Sequence, residues 1–253
     1  RELWRAVKGD LVLGKKLATL MRPPASSDRK RWRARERKWA ERRRHRDDNE
    51  ERQRTQLVLR LKENPDLVRA PTSFRPGDMS QYQAYLLRLI EGDGLRTSRQ
   101  VGANWRNLIP EFGEMVAKAF RDAALVHWRA YRPILRSENG GSSTIPYALI
   151  FGMAGLEIES NEDELGLARL SRSEAAHALR YVVHELNGFP RWFEALYRAY
   201  PDLGFDLIWN ETRWELINSP ADQPIQHILH DLVYHAPWLH RELAQPIYEV
   251  LME

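Results

Sequence analysis

Apolar residues recur at helical spacing along most of this chain, and strict apolar–polar alternation is almost absent. Between Met79 and Glu91, for example, the predicted buried stripe is Tyr82, Tyr85, Leu86 and Ile90. A spacing of three or four residues places such side chains on one face of a helix. The pattern therefore predicts an all-α protein.

Capping and turn signals divide the chain into many short helices. Ser171-x-x-Glu174 is a capping box ahead of a helix that we expect to end before Gly188. Ser160, followed by Asp163, is a further expected cap. Similar signals predict an apolar buried segment over residues 144–159 and helices over residues 2–21, 28–63, 79–91, 97–109, 111–131, 191–200, 203–217, 222–234 and 237–251.

Short helices joined by brief turns favour an irregular array of antiparallel helix pairs, a HEAT-like α-solenoid, with one long charged helix. No repeat of fixed period is evident, so a plain all-α globule fits the same pattern. We predict N-terminal helices over 1–66, including the charged helix, and the helical array over 67–253.

The charge of the chain is concentrated in one segment. Residues 28–54 hold 13 Lys or Arg and 7 Asp or Glu, a net charge of +6, whereas the whole chain carries +4. No apolar residue occurs between Glu41 and Gln56. Opposite charges four residues apart, such as Arg43–Asp47, Arg44–Asp48 and Arg46–Glu50, predict a solvated helix over 28–63.

Two roles for this helix stay open. Arg and Lys can neutralise phosphates while aromatic rings stack on bases, which would make it a nucleic-acid interface. Alternatively, it is a structural or partner-facing helix, with Trp32 and Trp39 on one face. The candidate binding residues are the same for both roles: Arg29, Lys30, Arg31, Trp32, Arg33, Arg35, Arg37, Lys38, Trp39, Arg42, Arg43, Arg44 and Arg46.

Histidines near the C-terminal end of the chain have a spacing that metal sites use. His227, His230 and Asp231 are at i, i+3 and i+4, and His235 follows one turn later. No other His or Asp in the sequence evidently completes a metallohydrolase set. We therefore expect a wet polar face here, with no bound metal, no cofactor and no enzymatic activity.

Other polar clusters favour structural roles. We expect His177 and His184 to be surface groups or hydrogen-bonding groups between helices. The loop that begins at Asn139 lacks a P-loop pattern. Five carboxylates occur close together, and we expect them to lie near the start of a helix, where the positive N-terminal end of the helix dipole stabilises them, rather than in a catalytic site. This cluster comprises Glu157, Glu159, Glu162, Asp163 and Glu164.

The composition of the chain indicates the cellular compartment in which we expect the protein. The chain has 253 residues and no cysteine, which fits a reducing compartment, and we expect a cytoplasmic protein. No apolar run approaches the roughly 20 residues that span a bilayer, so we expect no membrane partner. Because the chain begins at Arg1 within a helical pattern, we expect a fragment of a longer protein.

Several phrases resemble the C-terminal helical region of large bacterial NACHT/STAND-type P-loop NTPases. They are AVKGD at 6–10, GANWR at 102–106, IPYALIFG at 145–152, EAAH at 174–177 and NGFPRWF at 187–193. The resemblance implies signalling or antiviral defence ATPases in which a helical array senses a ligand or holds the inactive state. It implies no catalytic residue here, because the chain lacks Walker A and Walker B sequences.

From these observations we expect a non-enzymatic α-helical scaffold or sensor region that binds a protein partner, a ligand or other domains of its parent chain. The alternative is a helical module that binds nucleic acid through its Arg-rich helix. Both hypotheses place the contact surface on the charged helix.

Overall fold

The computed structural model describes residues 9–21, 27–69, 75, 77–92, 99–139, 145–163, 165–219 and 226–252. Within these ranges the regular secondary structure is helical and includes no strand, which confirms the all-α prediction. The α-helices are α1 Leu11–Met21, α2 Ser27–Glu63, α3 Gln81–Glu91, α4 Ile109–Phe112, α5 Glu114–Ala130, α6 Arg136–Asn139, α7 Tyr147–Glu162, α8 Arg172–Leu179, α9 Phe193–Ala199, α10 Pro201–Asn218, α11 His227–His235 and α12 His240–Met252.

The long charged helix was predicted accurately, since α2 has 37 residues and its bounds lie within one residue of the expected 28–63. At 1.5 Å per residue it is about 55 Å long. The stretch between α3 and α5 was predicted less well. Arg99–Ala103 and Trp105–Leu108 are 3₁₀ segments, and the expected caps at residues 97 and 98 lie outside the described residues.

Gly113 explains one wrong boundary. We expected one helix from residue 111 to about residue 131, but Gly113 has a φ of +82° and separates α4 from α5. This is the left-handed region, which a residue without a Cβ adopts at little cost.

Capping boxes fix the starts of two helices. Ser171 Oγ accepts from Glu174 N at 3.3 Å, and Glu174 Oε2 accepts from Ser171 N at 3.1 Å, which confirms the predicted box at α8. The sequence analysis missed a second box, in which Ser80 and Gln83 exchange the same two hydrogen bonds at α3. Gln83 Nε2 also donates to Val68 O at 2.9 Å, so the box ties α3 to the preceding segment.

The chain separates into two compact units, residues 1–57 and 58–253. None of the described residues before Val58 is buried, whereas the buried residues begin at Leu61 in the second unit. The predicted division after residue 66 stays a prediction.

The centre of the second unit is the contact between α5 and α7. A Cβ on Gly155 would lie 2.2 Å from Ala124 O, so the two helix backbones touch at this point. The rings of Phe120 and Phe151 pack beside it with centroids 5.1 Å apart. A second part of the core forms where Trp128, Tyr181 and side chains of α8 to α12 pack together.

Among the described residues, no helix combines the length and the apolar character that crossing a membrane would require.

Candidate functional site

The charge of α2 is unevenly distributed. Residues 28–46, which we call the basic segment, contain 11 Lys or Arg and three Asp or Glu, a net charge of +8. Residues 47–54 contain two Arg and four Asp or Glu, a net charge of −2. The positive charge therefore lies within the first five turns of the helix, over roughly 28 Å.

The side chains of α2 lie in solvent along most of the described helix, up to Gln56. All residues from Arg31 to Gln56 are exposed, including Trp32 and Trp39, with 57% and 71% of their surfaces accessible. The side chains of Arg29 and Lys30 lie outside the described residues. Two exposed tryptophans on one face are a large apolar surface without a partner in the described structure.

Little of this positive charge is offset within the helix. Among the described side chains of the basic segment, Arg46 makes ion pairs, with Asp47 at 3.9 Å and Glu50 at 3.7 Å. The expected pairs of Arg43 with Asp47 and of Arg44 with Asp48 do not form. The described cations from Arg31 to Arg44 are therefore held close together with no carboxylate bound to them, which raises the electrostatic energy of the helix.

The tryptophan face adjoins a groove of about 640 Å³. Arg35 and Arg43 line it together with Trp32 and Trp39, as do Glu36 and Asp47. The groove therefore combines aromatic rings, which can stack on planar groups, with guanidinium groups, which can bind phosphates or carboxylates.

The histidines of α11 form a second cluster. Ligand atoms of His230, Asp231 and His235 all lie within 4.8 Å of one another. The sequence analysis grouped His227 with His230 and Asp231. The compact set instead contains His235. His227 lies nearby and, with these three residues, lines a groove beside α11.

This groove has a volume of about 570 Å³ and separates α11 from residues 183–189. Gly188 N donates to Asp231 Oδ1 at 3.2 Å. Gly188 has a φ of +83°, and a Cβ there would lie 2.6 Å from Cγ of His235. The glycine therefore allows the segment to pass directly against the histidine ring.

Two buried glutamates position the elements around this groove, and the sequence analysis missed both. Glu215 accepts hydrogen bonds from the backbone N–H groups of His227, Ile228 and Leu229 at 2.7, 2.9 and 3.1 Å. Glu211, one turn earlier, accepts from the N–H groups of Arg136 at 3.1 Å and Ser137 at 3.3 Å. Each carboxylate thus satisfies the first N–H groups of another helix. A signal was available, because two acids four residues apart interrupt the apolar face of α10.

His177 and His184 are both partly buried. His177 Nε2 lies 2.9 Å from the carbonyl oxygens of both Trp128 and Tyr131, which confirms a hydrogen-bonding role between helices. Burial, together with the nearby positive charges of Arg136, Arg99 and Arg180, lowers the pKa of His184 to about 4. His184 is therefore neutral at physiological pH.

Ion pairs account for the described members of the acidic cluster except the buried Glu157, which accepts from Asn161 at 3.4 Å, and the expectation that the cluster starts a helix was wrong. Its described members lie in the last turns of α7 or just beyond, where the helix dipole disfavours carboxylates. Glu159 binds both Arg129 and the indole N–H of Trp128, the latter at 2.8 Å, and Glu162 binds Arg121. Glu164 and residues 140–142, in the loop for which we predicted no phosphate-binding role, lie outside the described residues.

Comparison of this chain with models of protein families, with curated proteins and with solved structures gives no match.

Proposed function

We propose that this chain is a non-enzymatic helical scaffold or sensor region of a larger signalling or defence NTPase, which binds a partner or holds the inactive state through its basic segment. The observation that carries the proposal is that the described cations from Arg31 to Arg44 are exposed and unpaired. A surface in this state is stabilised when a partner supplies the missing negative charge.

The segments that carry the resemblance to NACHT/STAND-type NTPases support a scaffold role, because each described segment from residue 102 onward contributes residues to the interior. A Cβ on Gly102 would lie 2.6 Å from Leu87 Cδ1, and one on Gly152 would lie 2.5 Å from the Tyr181 ring. Trp105 and Phe193 are buried. We propose that these contacts belong to an irregular, HEAT-like array of helix pairs.

The second candidate function is nucleic-acid binding, and the density of charge favours it. The basic segment has a net charge of +8 within 19 residues. Phosphates of nucleic acid offer a matching density, about one charge per 1.7 Å of duplex axis. Trp32 and Trp39 would then stack on unpaired bases.

A salt titration of binding separates the two candidates. The chain would be titrated against labelled single-stranded and double-stranded DNA and RNA from low to physiological salt, with fluorescence anisotropy as the measurement. If nucleic acid is the partner, log affinity falls linearly with log salt. Reversing Arg42, Arg43 and Arg44 to Glu then reduces the slope by roughly two to three.

The matched control reverses three arginines outside the basic segment, Arg88, Arg213 and Arg241, which are also exposed. Both triple variants change the formal charge equally, so a loss confined to the first variant assigns binding to the basic segment. Equal losses would show a nonspecific charge effect. Absence of binding at low salt would reject nucleic acid and leave a protein partner or a domain of the parent chain.

The non-enzymatic part of the proposal has its own test. Hydrolysis of nucleotides or nucleic acid that stays with the chain through successive purification steps would contradict it.

A further inference from the structure

We propose that His230, Asp231 and His235 form a binding site for a divalent transition-metal ion. This site is independent of the basic segment and goes beyond the proposed function. The ligand atoms of the three residues already lie within 4.8 Å of one another. Donor atoms around a tetrahedral zinc ion lie about 3.4 Å apart, so modest rotation of the two imidazole rings brings the set to bonding geometry.

The surroundings of the three residues are those of a supported ligand set. The backbone N–H of Gly188 donates to Asp231 Oδ1 at 3.2 Å and so orients the carboxylate. The side chain of Asp231 is only 19% exposed, whereas that of His230 is 61% exposed, and His230 Nδ1 lies 3.4 Å from Asp231 Oδ1. Partners that orient a ligating carboxylate are a regular feature of metal sites.

His235 is held by its neighbours. Gly188 has no side chain, and its backbone passes so close that a Cβ would lie 2.6 Å from Cγ of the His235 ring. The His230 ring packs against Tyr234 with centroids 4.7 Å apart, and the rings of His230 and His235 are 6.2 Å apart. The two imidazoles are thus directed to one side of α11.

The chemistry of the donors selects the class of ion. Two imidazole nitrogens and one carboxylate suit Zn²⁺, Co²⁺, Ni²⁺ or Cu²⁺, whereas Mg²⁺ and Ca²⁺ prefer sites built from oxygen alone. The three residues line the groove of about 570 Å³ together with His227, so there is room for further ligands of the ion. This proposal replaces our sequence-based expectation that no metal binds.

The test uses the full chain, stripped with a chelator and titrated with Co²⁺ while visible absorption is recorded. We expect one ion per chain with the d–d bands of a tetrahedral or five-coordinate site, and displacement by Zn²⁺. Asp231→Asn, His230→Asn and His235→Asn should each weaken binding by at least about tenfold. Because His230 is exposed, its variant keeps the test valid even if the other two fold poorly.

His45→Asn is the matched control, since His45 is exposed on α2 and outside the cluster. It should bind Co²⁺ as the parent chain does. The proposal is overturned if the chain binds no stoichiometric Co²⁺, or if His230→Asn binds as tightly as His45→Asn. Gly188→Ala tests the role of the segment that orients Asp231 and contacts His235. This variant should bind Co²⁺ more weakly, although it keeps all three ligands.

Discussion

At the scale of single residues, Glu138 is the clearest example of a charge that its neighbours stabilise. It pairs with Arg180, whose guanidinium also donates to Pro133 O at 2.9 and 2.6 Å. Glu138 also accepts hydrogen bonds from Arg132 Nη2 at 2.7 Å and from Leu135 N at 3.2 Å. The hydrogen bond from Arg180, followed by those from Leu135 and Arg132, lowers the pKa of Glu138 to about 2.

This shift predicts how stability depends on pH. Because the pKa of Glu138 is lower in the folded state than its ordinary value of 4.5, its contribution is present above pH 4.5 and lost as pH falls towards 2. Glu138→Gln should lower the free energy of unfolding at pH 7 by about 1–2 kcal/mol. The variant and the parent chain should converge only as the pH approaches 2.

Urea denaturation at a series of pH values measures this effect. Glu63→Gln, at the exposed end of α2, serves as the control and should show no such convergence. A constant difference between Glu138→Gln and the parent chain from pH 7 to pH 2 would refute the prediction.

The sequence identified local residue pairs but not distant ones. The capping box at Ser171 was predictable because its two residues are three apart and follow a known pattern. The pair of Glu138 and Arg180 was not, because 42 positions separate them and only packing brings them together. The same holds for His177, which reaches carbonyl oxygens more than 40 positions earlier.

At the scale of helices, α11 depends on a side chain from α10. Its N-cap residue, Gln226, makes no side-chain cap, and Glu215 instead accepts from the first three N–H groups of the helix. We expected this helix to begin at residue 222. It begins at His227, where the Glu215 carboxylate satisfies its N–H groups.

Replacing Glu215 by Gln should therefore destabilise the protein. An amide offers one accepting oxygen instead of two and turns an N–H donor toward backbone donors, at a cost of roughly 1–3 kcal/mol. Thermal and urea unfolding would measure the change, with Asp206→Asn as a control at an exposed position of the same helix. Equal stability of the Glu215 and Asp206 variants would contradict the assigned role.

The helix pattern of the sequence also predicted the histidine cluster only in part. The spacing placed His227, His230 and Asp231 on one face of α11 with His235 one turn beyond, and all four residues line one groove. Which three come together depends on Asp231 being oriented by Gly188, and Gly188 lies 43 positions away.

At the scale of the whole molecule, the core belongs to one of the two units. All buried hydrophobic residues among those described lie from Leu61 onward. We therefore expect a fragment comprising residues 58–253 to fold without the first unit. Its thermal unfolding, followed by circular dichroism, should remain one cooperative transition, since hydrophobic burial supplies most of the stability.

The fragment that lacks the first unit should also lose the salt-dependent binding proposed above while retaining Co²⁺ binding. A fragment that unfolds gradually or aggregates at once would show instead that residues 1–57 contribute to folding.

The all-α class was predictable from helical periodicity at this scale. The packing of helices against each other was not, because the sequence contains no fixed repeat to set it.

The uneven charge of α2 has a kinetic consequence. With +8 in its first 19 residues and −2 in the following eight, the helix carries a permanent electric dipole along its axis. The helix macrodipole adds to it, because the N-terminal end is the positive one. A polyanion approaching from beyond contact distance is attracted to one end of α2 and repelled by the other, so the orientation of the encounter is set before any side chain touches its partner.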